Sequence, residues 1–259
     1  MTKLTPIVEK LLFINIVLFL AHKFLGFNLI DLFGFRFLFS EHFRTYQLFT
    51  HLFMHASFLH LCSNMFSLVS FGPILEQTLS SKRFLLFYLV AGVGAALLYS
   101  LVGYVQLSKL STLYHAYMVH PTPEGFTTFL NRFPQHLYKS SYEFGYHFFD
   151  HPDNQAYIVE SKAIIDKLYR LKTDMPTVGA SGAIFGILTA FSMLFPYAQV
   201  SLFLLPIPIK AKYFIVLYGL YELWAGIETR PADQVAHFAH LGGILFGYLF
   251  IKLWQWHQK

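Results

Sequence analysis

The sequence predicts an all-α polytopic membrane protein with six transmembrane helices. Three observations carry that prediction. Hydrophobic residues make up 55% of the 259 and charged residues only 13%, where a soluble domain carries about 25% charged residues. Mean hydropathy is +0.48. The apolar residues gather into six runs near the ~20-residue length that crosses a bilayer, at roughly 8–28, 57–76, 84–105, 178–195, 211–227 and 234–253. One membrane domain over 1–259 is the simplest organisation.

The first run follows Lys3 and Lys10 and has the outline of a signal peptide over Leu11–Ala21. No small-residue cleavage site follows, and apolar character resumes after Lys23, so a retained span is expected. The next segment, 29–56, mixes Phe33, Phe35, Phe37, Phe39, Phe43, Tyr46 and Phe49 with Arg36, Glu41 and Arg44. It is too interrupted to span and too aromatic for a free loop, so it is read as an interfacial segment in the headgroup layer. The second run begins among His51, His55, His60 and Asn64, and the third follows Lys82 and Arg83.

Residues 106–177 form a long extramembrane insertion with seven Lys/Arg and seven Asp/Glu. Pro121, Pro123 and Pro134 are expected to break its first half. Asp153 to Lys172 reads as an amphipathic helix capped by Asp153 or Asn154. Tyr157, Ile164, Leu168 and Leu171 line one face, and Asp166 and Arg170 pair at i,i+4. The link after the fourth run ends with Lys210 and Lys212, and the C-terminus holds Lys252 and Lys259. With six spans, these cations, Lys82, Arg83 and the N-terminal lysines all fall on one side. The positive-inside rule makes that side the cytoplasm and places both termini there. Residues 29–56, 106–177 and 228–233 then face outward.

The net charge of +5 and pI near 9.1 come from cations at helix ends rather than basic runs, so no nucleic-acid partner is expected. Cys62 is the only cysteine, which excludes an intrachain disulfide.

Two small-residue stretches carry the candidate chemistry, Gly179-Ala180-Ser181-Gly182-Ala183 and Ala239-His240-Leu241-Gly242-Gly243. A serine and a histidine on neighbouring intramembrane helices can act as nucleophile and base, and such groups are costly in a bilayer interior, so their presence there points to function rather than packing. Ser181 opens its helix, where free N–H groups favour developing negative charge. Gly182 and Gly186 also suit a plain helix–helix contact. Gly243 and Gly247 lie within roughly 60° of His240 on one face, so that face can press against Gly182 and Gly186 and carry His240 towards Ser181. His60 and Asn64 are i,i+4 and suit donation to an oxyanion. Helical arithmetic puts His60 roughly 140° from His55, so the histidine group is not expected to bind one metal. His51 and His55 are read as structural, and the scattered histidines at 115, 120, 136, 147 and 151 as surface groups.

Together these residues resemble the rhomboid family of intramembrane serine proteases. The resemblance rests on GASGA at 179–183, AHLGG at 239–243 with Gly247, the H-x-x-x-N pair His60/Asn64, and Glu76 at the inner end of span two. It covers about 8–253 and implies a six-helix rhomboid-like bundle of the compact bacterial form, in a bacterial plasma membrane. It also implies a Ser181–His240 dyad without a carboxylate, so packing must orient the imidazole. In the family an aromatic side chain stacks on that histidine, and Phe185 is the candidate. His60, Asn64 and the Ser181 N–H would form the oxyanion hole, with Gly179, Gly182 and Gly243 in support. His237 is a rival base. Substrates would be single transmembrane helices cut near the outer face, with no cofactor or metal. The resemblance does not specify the oligomeric state.

The sequence departs from the family in two places. Tyr46-Gln47 stand where many members have Trp-Arg, and the 106–177 insertion is unusually long. It is expected to cap or gate the site, or to select substrates. The competing readings are an inactive rhomboid-like adaptor that binds transmembrane clients, whose kind typically loses the serine or histidine, and a transporter, which would predict inverted repeats.

Overall fold

The computed structural model describes residues 3–202, 205–228 and 235–258. Eleven α-helices and one hairpin are present among them: α1 Pro6–Phe24, α2 Leu29–Phe33, α3 Gln47–Thr50 running into a 3-10 turn His51–Phe53, α4 Phe58–Leu79, α5 Ser81–Val119, α6 Pro123–Leu130, α7 Lys139–Asp150, α8 Gln155–Thr173, α9 Ser181–Leu194, β1 Gln199–Leu202, β2 Leu205–Lys210, α10 Ala211–Glu228 and α11 His237–Trp256. A helix therefore stands at each of the six apolar runs. Of these, α4 and α5 are long and apolar enough to cross a bilayer by length and composition alone. Helix α9 has only 14 residues, and α1 and α10 each carry ionisable side chains.

Helices α5, α9 and α11 form the centre, with α4 and α10 packed on α9, and α1 on α4. Small residues set how closely they approach. A Cβ on Gly243 would run into the Gly182 carbonyl, and one on Gly247 would stand 2.8 Å from the Gly186 Cα. Gly242 similarly abuts the backbone of Ala95 on α5. Glycine is thus required on this face because backbone meets backbone.

Glu76 ties the far end of the bundle together. Its carboxylate accepts the N–H groups of Ile7 and Val8, both at 3.1 Å, and the hydroxyls of Thr5 and Ser81 at 2.5 and 2.6 Å. It therefore caps the orphan amides at the start of α1 and joins α1, α4 and α5.

Three features differ from the sequence expectations. The third helix does not stop near 105 but runs to Val119, because no helix breaker occurs before Pro121. The insertion is more regular than its prolines suggest: Pro123 is the first residue of α6, behind a Thr122 cap that accepts the Gly125 N–H at 3.1 Å. A proline at the first helical position starts a helix rather than breaking one. Finally, β1 and β2 pair antiparallel, Val200 opposite Ile209, in a stretch not expected to form strand. Most of the outer segment at 228–233 lies outside the described residues.

The end of α5 packs with α6, α7 and α8 around a second core of Tyr117, Phe126, Phe129, Phe148, Ile165 and Leu168. Asn154 caps α8 by accepting the Ala156 N–H, and Asp166 and Arg170 pair at 2.8 Å. Leu171, expected on the buried face, is exposed; Ser161 and Ile165 are buried instead. The insertion is joined to residues 29–56 by a two-way backbone bridge between Phe35 and Thr177 and by Asp174, which accepts from Ser40 and Arg36. Phe35 and Phe37 turn inward, Phe37 stacking on Tyr99 of α5, while Leu32, Leu38, Tyr46 and Phe49 stay exposed. The segment is therefore half packed on protein, with only its other face left for a headgroup layer.

Candidate active site

The Gly179–Ala183 loop is held at its start. The Gly179 N–H donates to the His51 carbonyl at 3.0 Å, and the His51 ring donates from Nδ1 to the Gln47 carbonyl at 2.7 Å. Gly179 has φ +130, and a Cβ there would stand 2.7 Å from the His60 imidazole. Both the backbone conformation and the space exclude a side chain. Ser181 is then the first residue of α9, partly buried, with its amide among the free N–H groups of the helix start.

Ser181 Oγ lies 2.9 Å from His240 Nε2. The Phe185 ring, one turn further along α9, lies flat on the His240 imidazole at 4.2 Å between centroids and 14° between planes. Tyr218 of α10 also packs against Phe185, tilted by 54° with 4.7 Å between centroids. His60 approaches both Gly179 and His240. Asn64, one turn below His60, is buried and donates from Nδ2 to His55 Nε2 at 3.0 Å. The structure thus brings Gly179, Ser181, Gly182, Phe185, His240, Gly243 and His60 to one place, with Asn64 on the same face of α4.

The histidine geometry corrects the helical arithmetic. Residues 54–57 are not helical, and α4 begins only at Phe58 behind the Ser57 cap. The chain bends there and brings the His55 and His60 rings within 5.0 Å. His55 holds Asn64 in place. Burial pushes the His55 imidazole down to about 3 and that of His51 down to about 4, so both are neutral in the fold. The departures Tyr46 and Gln47 supply local anchors. Tyr46 donates to the Leu32 carbonyl at 3.1 Å, and buried Gln47 accepts the Arg44 N–H at 3.1 Å.

One site residue escaped the sequence reading. Glu222 of α10 is buried, with Oε2 2.5 Å from His237 Nδ1 and 3.0 Å from His240 Nδ1. His237 points at this carboxylate and not at Ser181, which makes it a partner of the acid rather than a rival base. An ionisable residue in an apolar run was the available signal. Glu222, His237 and His240 bring metal-ligating atoms within 4.8 Å of one another. The carboxylate contacts are nevertheless hydrogen-bond distances, whereas a tetrahedral zinc with bonds of about 2.0–2.1 Å holds its ligand atoms about 3.3 Å apart.

The rhomboid-domain family model matches residues 42–120 and 144–256, which is most of the chain and includes the whole site. The chain belongs to the rhomboid family. Rhomboid proteins are integral membrane proteins. The chain is also similar to "Rhomboid protein 1, mitochondrial" of Saccharomyces cerevisiae, 42% identical over 86 residues, which are 32% of this chain and 24% of that protein. It therefore matches about a quarter of that rhomboid's length. Residues 121–143, which hold α6 and the start of α7, separate the two stretches matched to the rhomboid domain.

Proposed function

We propose that this rhomboid is an intramembrane serine endopeptidase that cuts transmembrane helices of membrane proteins near the outer face. The observation that carries the reading is the 2.9 Å contact between Ser181 Oγ and His240 Nε2 under the Phe185 ring. Both members of a nucleophile–base pair are present and within hydrogen-bond reach. An adaptor would require neither.

In the proposed reaction, Ser181 Oγ bonds to the scissile carbonyl carbon while its proton passes to His240 Nε2. The carbonyl oxygen takes up the displaced electron pair. Its negative charge meets the Ser181 N–H, His60 and the second amide N–H of Asn64, the first being bonded to His55. His240 then protonates the leaving amine, and water hydrolyses the acyl-enzyme by the same steps in reverse order. A substrate helix must unwind locally, because its carbonyls are otherwise bonded within the helix. The six-span arrangement, with both termini cytoplasmic in a bacterial plasma membrane, belongs to the same proposal, as does the insertion as a cap or substrate selector. The yeast relative is mitochondrial by name.

Reconstitution in liposomes with a labelled single-span substrate tests the reading. Cleavage by the parent and none by Ser181→Ala or His240→Ala is expected. Equal cleavage by Ser181→Ala would overturn it.

A further inference from the structure

We infer that Glu222 is the positioning carboxylate of the site: it holds His240 in the tautomer that accepts the Ser181 proton and stabilises the imidazolium that results. The inference rests on the Ser–His reading above.

The geometry begins with the helix contact. Gly226 lets α10 lie against α11, since a Cβ there would meet His237 and Phe238 at 3.0–3.2 Å. Glu222, one turn earlier on α10, is thereby brought to His237 and His240, which are i,i+3 and share a face of α11. A single oxygen, Oε2, serves both rings. His237 donates to it at 2.5 Å. His240 Nδ1 is 3.0 Å away, within ion-pair reach, and among the described residues it has no hydrogen-bond partner. An ionised carboxylate only accepts, so the Nδ1 that faces it carries the proton. The neutral His240 ring must then present a bare Nε2 to Ser181. The Ser181 proton moves to Nε2, the new positive charge lies beside Oε2, and Glu222 remains ionised throughout. As the reaction proceeds, the charge-assisted contact shortens and aligns.

Packing alone does not call for this residue. Glu222 is 2% exposed, and taking a carboxylate out of water costs several kcal/mol unless partners offset it. Among the described residues, the titratable groups that face it include His237 and His240 from α11 and Tyr218 on its own helix, with Tyr221 against His237 and His60 from α4 beyond His240.

The test measures how fast a fluorophosphonate labels Ser181 as a function of pH in the purified parent and in Glu222→Gln, Glu222→Asp and His237→Asn. The rising limb of the profile reports deprotonation of His240. Removing the neighbouring negative charge destabilises the imidazolium. Glu222→Gln is therefore expected to lower the plateau at least ~10-fold and to move the midpoint about one unit or more towards acid. Glu222→Asp keeps the charge but withdraws it, so a lower plateau and an acid shift smaller than that of Glu222→Gln are expected. His237→Asn frees the carboxylate for His240 alone, and no acid shift is expected. A Glu222→Gln midpoint equal to the parent's overturns the inference, whatever the plateau. Should Glu222→Gln not fold, a Glu222→Asp profile with both the plateau and the midpoint of the parent overturns it instead. If the parent is not labelled, the Ser–His reading has failed and this inference falls with it. If the parent is labelled and Glu222→Gln keeps its midpoint, only the role of Glu222 falls.

Discussion

The Cα of Gly243 faces the carbonyl of Gly182 with no room for a side chain between them, and this contact fixes how near His240 comes to Ser181. Gly243 is three residues beyond His240 on α11, and Gly182 directly follows Ser181 on α9. Gly243→Ala forces the two backbones apart. Overpacking of this kind costs about 1–3 kcal/mol, and the displacement lengthens the 2.9 Å contact. A lower melting temperature in detergent and at least ~10-fold slower cleavage are expected, since misplacement of about 1 Å can cost ~100-fold. Parent-like activity would mean that the Gly182–Gly243 contact does not set the geometry.

Phe185 holds the imidazole by its flat face. An aromatic pair of this kind contributes about 0.5–1.5 kcal/mol beyond its buried area. Phe185→Leu keeps most of the volume but loses the face, so His240 gains freedom to rotate. A fall in kcat of roughly 10-fold with little change in KM is expected, and steady-state kinetics on the reconstituted enzyme would show it.

His51 and His55 give the fold a pH dependence of known sign. Both lie in the 29–56 segment, ahead of the start of α4, and burial pushes both down, to about 4 and about 3 respectively, so both are neutral in the fold. On unfolding they return to about 6.5 and bind protons. The unfolded state therefore holds more protons below about pH 6.5. Stability is fully present above that pH and is lost as pH falls towards 4, by an amount on the order of 3 kcal/mol for His51. Thermal melts from pH 7.5 to 4.5 should show the decline, and His51→Gln should flatten it. A slope unchanged in His51→Gln would remove His51 as its source.

The insertion has its own core, separate from that of the bundle. Phe148→Ala removes a fully buried ring there, at a cost of about 3–5 kcal/mol. Hydrogen exchange should rise across α6–α8 while α9 and α11 stay protected. Loosening of α9 and α11 to the same degree would show that the two cores are one cooperative unit.

What the sequence showed, and what it hid, follows from the range of each signal. Gly243 and Gly247 could be placed with His240 because a helix has a fixed 3.6-residue period, and that face does meet Gly182 and Gly186. Helix α6 is hidden because Pro123, a breaker by residue type, occupies the first helical position. The His55–His60 proximity was missed because the chain bends at 54–57, where helical arithmetic does not apply. Glu222 was missed because its partners belong to another helix, and no local pattern points to them. Its presence in an apolar run was the one trace it left.

The measurement that bears most directly on the central claim is mass-spectrometric mapping of a fluorophosphonate adduct on the parent and on His240→Ala. One adduct, on Ser181, is expected in the parent, with a loss of at least ~100-fold in its rate of formation without His240. No adduct on Ser181 in the folded parent, or equal labelling in both proteins, would contradict that claim.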